Sequence, residues 1–357
     1  MLISFPLVKA KGIKLIEPIN NLNKKKAKRR MTGLFDSWQR QINYLRISVT
    51  DHCNLNCVYC SVNEMLPLRH DDVLSYEEIE KIVLVAAEMG ITKIRLTGGE
   101  PLMRPGFCRL VEMIARIEGI DDISLTSNGI LLARYAGELK EAGLKRVNIS
   151  LDTLKRERFK EITGLDKLKD VLAGIETARK IGLEPVKLNM VVLRGINDDE
   201  VVDFARKTLK EGWNVRYIEF MPIGATDNGG MVTTREIKEK IQEALGELEP
   251  YTGPEGNGPA RYFQAPGANG TIGFITPMTE HFCHTCNRLR LTSDGQLRPC
   301  LLAEEEADLK SAIRSGAGTD ELKELIQRAV NQKREQHNLT GRIAPETNGR
   351  PMCQIGG

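Results

Sequence analysis

Between residue 42 and about residue 222 the chain alternates apolar β-type runs with helical patterns, and that alternation leaves few folds open. The β-type runs are 43–50, 92–97, 122–126, 145–150, 185–193 and 214–220. Between them, 76–89, 106–117, 130–142, 167–181 and 199–211 carry apolar residues at helical spacing, which predicts amphipathic helices. Gly90, Gly143, Gly182 and Gly212 follow four of these patterns, where a left-handed cap is needed. Such repetition predicts successive βαβ units and a parallel sheet. Right-handed crossovers would curl that sheet into a closed or partial barrel.

The expected fold class is therefore α/β: a partial (βα)6 TIM-like barrel over 34–222, with a C-terminal region over 223–357. The order breaks near residue 222. Gly and Pro become frequent in 251–273, and a charged helical segment follows at 302–337.

The length suits one large α/β domain plus an extension, or two modest domains. No run of 18 or more apolar residues occurs, so no membrane-spanning helix is expected. The net charge of +3 conceals an asymmetry: residues 1–30 carry nine Lys/Arg against Glu17, a net of +8, which leaves −5 on the remainder. A mildly acidic body gives no reason to expect nucleic acid. The basic run at 24–30 reads as part of a solvated, flexible extension over 1–33. Translation starting at Met31, with the preceding residues dispensable, is a further expectation.

Two cysteine triads mark the chemistry. Cys53, Cys57 and Cys60 have x3/x2 spacing just past the first β run, and Cys283, Cys286 and Cys300 lie near the other end. Three thiolates are one too few to close a tetrahedral site. Iron–sulfur clusters are normally held by four, so a cubane with three protein ligands keeps one iron open for a small molecule. A structural zinc site completed by His52 or His284 is the alternative. Disulfides are disfavoured by the clumped spacing and the lack of a secretory signal. Cys108 and Cys353 are left over, and read as incidental thiols.

In parallel α/β sheets reactive groups gather at the C-terminal edge of the strands. The first triad, Thr97-Gly-Gly-Glu-Pro101, Thr126-Ser-Asn-Gly129, Ser150 with Asp152, and Glu219 with Met221 all fall at predicted strand ends. A shared pocket on that rim is the expected site. Arg46, Arg95, Lys187 and Arg216 on barrel strands would make its interior basic, which suits an anionic substrate.

The x3/x2 triad with Tyr59 before its last cysteine, together with Gly98-Gly-Glu-Pro101, resembles the radical S-adenosylmethionine (SAM) superfamily. The stretch 34–50, Lys93-Ile-Arg-Leu-Thr-Gly-Gly-Glu-Pro-Leu-Met-Arg104, Cys283-x2-Cys286-x-Arg288-x-Arg290 and the final Gly356-Gly357 resemble the GTP 3′,8-cyclase family over residues 34–357. That family often has Arg at positions equivalent to His52 and Asn56, a departure in the cluster's surroundings and not in its ligands.

The resemblance implies a radical SAM partial barrel and a lyase. Hydrogen abstraction from C3′ of GTP and attack on guanine C8 would give 3′,8-cyclo-7,8-dihydro-GTP, the first step of molybdenum cofactor biosynthesis. It implies two [4Fe–4S] clusters as well as SAM. Cys53, Cys57 and Cys60 would bind the SAM-cleaving cluster, with Tyr59, Gly99, Ser150 and Met221 contacting SAM. Cys283, Cys286 and Cys300 would bind a second cluster facing the guanine. Arg46, Arg95, Thr126, Lys187, Arg288 and Arg290 would line the GTP site, with Lys93 and Arg216 as further candidates. Arg288, Arg290, Gly356 and Gly357 would act in catalysis.

Expected partners are an electron-donor protein, a cyclic pyranopterin monophosphate synthase taking the product, and a second copy of the chain in a homodimer. The expected location is the cytoplasm. Another twin-cluster radical SAM enzyme, such as a peptide-modifying maturase, and a zinc-stabilised nucleic-acid-binding module are the competing readings.

Overall fold

The computed structural model describes residues 33–60, 68–221, 230–252, 258–337, 350 and 352–356. The basic run at 24–30, Met31, Gly357 and most of the Gly/Pro-rich stretch near 254 lie outside the described residues.

All six expected strands form: β1 (Tyr44–Ser48), β2 (Lys93–Thr97), β3 (Asp122–Ser127), β4 (Arg146–Ser150), β5 (Lys187–Val192) and β6 (Asn214–Glu219). They pair in sequence order and in parallel. The intervening helices are α1 (Tyr76–Glu88), α2 (Phe107–Ala115), α3 (Leu132–Glu141), α4 (Arg156–Thr163), α5 (Leu168–Lys180) and α6 (Val201–Lys210). Five lie on the expected segments. The exception, α4, is strongly charged and buries only Phe159, Ile162 and Thr163, too little apolar signal to separate it from a loop. Gly90 and Gly143 adopt φ of 109° and 103°, as the expected caps require.

The C-terminal region does not form a separate body, and Gly33–Gly357 is one compact unit. After α7 (Thr234–Leu245), strands β7 (Glu249–Pro250), β8 (Arg261–Gln264) and β9 (Thr271–Ile275) extend the sheet beyond β6, with β9 parallel to it. The chain then returns to the opposite edge, where β10 (Arg288–Leu291) runs parallel to β1. Beyond it lie β11 (Gln296–Arg298) and β12 (Ala307–Asp308), both antiparallel additions. Helices α8 (Leu309–Arg314) and α9 (Thr319–Asn331) make up the charged helical segment. The result is a twelve-stranded sheet whose two ends, β12 and β7, leave the barrel partial.

Side chains alternate between the two faces of this sheet, as a period of two demands. One set, including Leu45, Ile47, Ile94, Leu96, Val147 and Met190, packs with Ile79, Ile82 and Leu110 of the helices into the core. The other set is polar and faces the lumen. Interiors of (βα)8 barrels are usually packed with branched apolar side chains; this one is a charged cavity wall.

Candidate active site

Strand β1 delivers the first triad to the C-terminal mouth of the barrel. Cys53, Cys57 and Cys60 are half-buried free thiols, close enough that Cys57 feels the charge of both others. Burial pushes all three upward, Cys60 to about 12. Such thiols become ligands only when a cationic centre displaces their protons. Three mutually close thiols are the soft donor set that an iron–sulfur cluster takes, so the residues present fit such a group. His52 and Asn56 are exposed.

The Gly-Gly-Glu-Pro turn after β2 is docked backbone to backbone on this loop. Gly99 N–H donates to the Thr50 carbonyl and Glu100 N–H to that of His52, both at 2.7 Å. A Cβ on Gly98 would lie 2.3 Å from the Thr50 oxygen, and one on Gly99 would lie 2.2 Å from that of His52. Only glycine permits that approach. Glu100, fully buried and pushed by burial to about 7, accepts from Asn128 N–H (2.7 Å) and Ser127 Oγ (2.9 Å), so it ties the turn to the end of β3. Tyr59 donates its hydroxyl to Asp152 Oδ2 at 2.5 Å, anchoring the cysteine loop to the segment after β4. Burial raises Asp152 to about 6. Ser150 ends β4, and Met221 lies just past β6, so the expected SAM contacts share one rim.

Below that rim the lumen is cationic. Arg298, Arg290, Arg46, Arg95, Ser124 and Arg146 pair in register as one row across six strands. Lys187 pairs with Asn148 and Arg216 with Asn189 on the far side. Lys93 and Thr126 share the same parity. Arg146 takes Asp122, on the same face, as an ion pair, and Arg298 at the other end of the row is paired with Glu306 at 2.6 Å. Burial, then Arg290 and other neighbouring cations, pull Arg46 well below its usual range. Burial, followed by Arg216, Arg146 and Arg95, lowers Lys187 to about 6. Tyr44 Oη, Thr126 Oγ1, Asn189 Oδ1, Arg146 Nε and Arg216 Nε are buried without a hydrogen-bond partner. Mutually repelling cations and orphaned polar atoms are costly in a folded interior. A polyanionic, hydrogen-bonding ligand would relieve both. Arg146 and Asn148 were not among the expected site residues, although their parity on β4, opposite to Val147 and Ile149, marks them.

The second triad sits at the other mouth. Cys283 and Cys286 immediately precede β10, which is parallel to β1, and Cys300 follows the antiparallel β11. All three therefore lie at the N-terminal end of the barrel, with the length of the strands between them and the first triad. Burial still raises Cys283 here, but Cys286 is inverted. Although burial opposes it, Arg288 and Lys333 bring Cys286 down to about 6. The thiolate in turn holds Arg288 above its usual range against the effect of burial.

The C-terminal tail enters the lumen between the mouths. Residues 353–356 are buried, and Arg290 Nη1 donates to the carbonyls of Ile355 (3.2 Å) and Gly356 (2.6 Å). Composition alone favours a frayed end here. The contacts with Arg290 explain why residues 352–356 do not fray. Cys353 is 5% exposed and close enough to Cys53 and Cys60 to interact electrostatically. Cys108 lies apart on α2.

Residues 47–208 match the Radical SAM superfamily, and 213–339 match Molybdenum Cofactor Synthesis C. The GTP 3′,8-cyclase of Pelotomaculum thermopropionicum is 51% identical over 90% of this chain and 99% of its own length. That of Thermodesulfovibrio yellowstonii is 48% identical over the same shares. This chain belongs to the GTP 3′,8-cyclase family. Membership makes it a radical SAM enzyme, a class that uses SAM and an iron–sulfur cluster. Streptococcus suis SuiB bound to S-adenosylmethionine superposes with a TM-score of 0.58 at 14% identity, covering 82% of this chain and 68% of that one. The likeness shows that the cyclase-family barrel and SuiB share a fold. No helix among the described residues is long and apolar enough to cross a membrane.

Proposed function

We propose that Cys53, Cys57 and Cys60 hold the cluster that cleaves SAM, with Tyr59, Gly99, Ser150 and Met221 against SAM, and that Cys283, Cys286 and Cys300 hold a second [4Fe–4S] cluster at the opposite mouth. The activity is that of the family, the radical SAM-dependent cyclisation of GTP that opens molybdenum cofactor biosynthesis. A division of labour near residue 222, an electron-donor protein and a downstream synthase taking the product belong to the same proposal, as does a homodimer.

The row of buried cations between the two triads carries the reading. Held by Cys53, Cys57 and Cys60, the first cluster would supply with SAM the one-electron chemistry and hydrogen-atom abstraction that the cyclisation needs. The chain's own residues do the rest. Arg46, Arg95, Lys187 and Arg216, with Lys93 at the strand start, neutralise the triphosphate. Thr126 and Asn189 offer hydrogen bonds to the nucleoside. Arg288 and Arg290, beside the second triad, fix the purine end and the tail. Holding C3′ against C8 converts a rare conformer of GTP into the bound one, and the inserted tail excludes water.

Anaerobic incubation with GTP, SAM and reductant tests this reading. Release of 5′-deoxyadenosine that depends on GTP is expected; release without regard to GTP, or none, would sink it.

Lys187 gives a pH signature. Its ammonium is lowered from 10.5 to about 6, so at pH 7.5 the substrate-free lysine is mostly neutral. Folding releases that proton between pH 6 and 10.5, so this group's cost to the substrate-free protein is greatest below pH 6 and is relieved as pH rises through that window. A triphosphate reverses the shift, so binding should take up close to one proton and weaken as pH rises above 6. Calorimetry in buffers of different ionisation enthalpy reads the uptake. A buffer-independent enthalpy at pH 7.5 would remove Lys187 from the phosphate site.

Deleting Gly356 and Gly357 removes the Gly356 carbonyl that Arg290 binds and leaves Ile355 as a terminal carboxylate beside it; product formation should fall by about a hundredfold through misplaced substrate, while SAM affinity stays near that of the full chain. Equal turnover by the shortened chain would make the tail ornamental.

A further inference from the structure

Lys333, two residues past the end of α9, is only 3% exposed. Its Nζ donates to the carbonyls of Arg288 (3.1 Å) and Pro299 (2.7 Å). Pro299 precedes Cys300, and Arg288 follows Cys286 by two positions. One ammonium therefore straps the start of β10 to the end of β11, the two segments that carry these cysteines. Cys283 is held from the other side, where Arg40 donates to its carbonyl at 2.7 Å and to those of Glu335 (2.8 Å) and Arg334 (2.6 Å).

The two cations differ in one respect. Arg40 has its own carboxylate, Asp36, at 2.6 Å. Among the described residues no carboxylate pairs with Lys333, whose Nζ meets two neutral carbonyls. Its positive charge is therefore presented to the two segments that carry these cysteines.

We infer that Lys333 is the counter-charge and strap of the second metal centre: it positions the Cys286 and Cys300 segments and favours the reduced cluster. The inference rests on the second-cluster reading proposed above. A cluster on three thiolates gains negative charge when reduced, so a fixed neighbouring cation raises its potential. Backbone carbonyls held by the same group keep the ligand segments at their spacing.

Three variants of the anaerobically purified holoenzyme separate these effects. Lys333→Gln keeps donors for the carbonyls but removes the charge. Its second cluster should show a more negative potential in an EPR-monitored redox titration, with SAM cleavage at the first cluster retained as the check on folding. Lys333→Met loses both functions and should surrender its second-cluster iron to chelator about ten- to a hundredfold faster. Lys333→Arg should restore the potential. Wild-type potential and chelator resistance in both the Gln and Met variants would overturn the inference while leaving two clusters in place. A wild-type protein with a single cluster would instead overturn the reading beneath it, and this inference with it.

Discussion

Cys57→Ser should abolish SAM cleavage while leaving the iron and sulfide of the second centre in place. The substitution is nearly isosteric, so the loop retains its shape. A serine hydroxyl, however, cannot supply a thiolate, and its neighbours make ionisation harder still. Burial, then Asp152, Cys60 and Cys53, already push the Cys57 thiol well above its ordinary range. The second triad is insulated because it stands at the other end of the strands, on the far side of the arginine row. Anaerobic iron and sulfide counts should fall by about half, as expected for one of two clusters lost, and 5′-deoxyadenosine should vanish. Cleavage persisting in the serine variant would show that the ligands are misassigned; loss of all iron would show that the two centres are not independent.

Gly99→Ala should be nearly as damaging, through packing alone. The added methyl carbon would lie 2.2 Å from the His52 carbonyl oxygen, 2.5 Å from its carbon and 2.6 Å from the Asp51 oxygen. These are backbone atoms with no rotamer to move, and they belong to the segment that leads into Cys53. Relief requires the turn and the loop to separate, breaking the hydrogen bonds from Gly99 to Thr50 and from Glu100 to His52. Overpacking of this kind costs about 1–3 kcal/mol, and each lost bond adds about 1 kcal/mol. Urea unfolding should register a loss in that combined range, and the first cluster should be depleted relative to the second. If the alanine variant matched wild-type stability and bound SAM more weakly, Gly99 would act through its contact with SAM alone and not as a docking point.

The barrel strands were legible because each alternates in polarity, so that Leu45 and Ile47 enclose Arg46 just as Val147 and Ile149 enclose Asn148. The same alternation could have added Arg146 and Asn148 to the substrate wall. Helix α4 was not legible, since Phe159 and Ile162 are too few to betray a face among Arg156, Glu157, Arg158, Lys160 and Glu161. The direction of β10 was hidden for a different reason. Arg288-Leu-Arg-Leu291 is recognisable as a strand, but nothing local says that it lies parallel to β1. That pairing is what puts the two triads at opposite mouths, a fact that spacing along the chain cannot convey.

The position of β10 also governs how the molecule comes into being. Tyr44 finds its neighbour in Arg288, so a chain emerging from the ribosome must hold β1 with one edge bare until most of its length has been made. Unpaired edges invite association with other chains, and parallel pairing between distant segments is slow. A fragment stopping at residue 222 would keep two such edges permanently, at β1 and β6, and should aggregate.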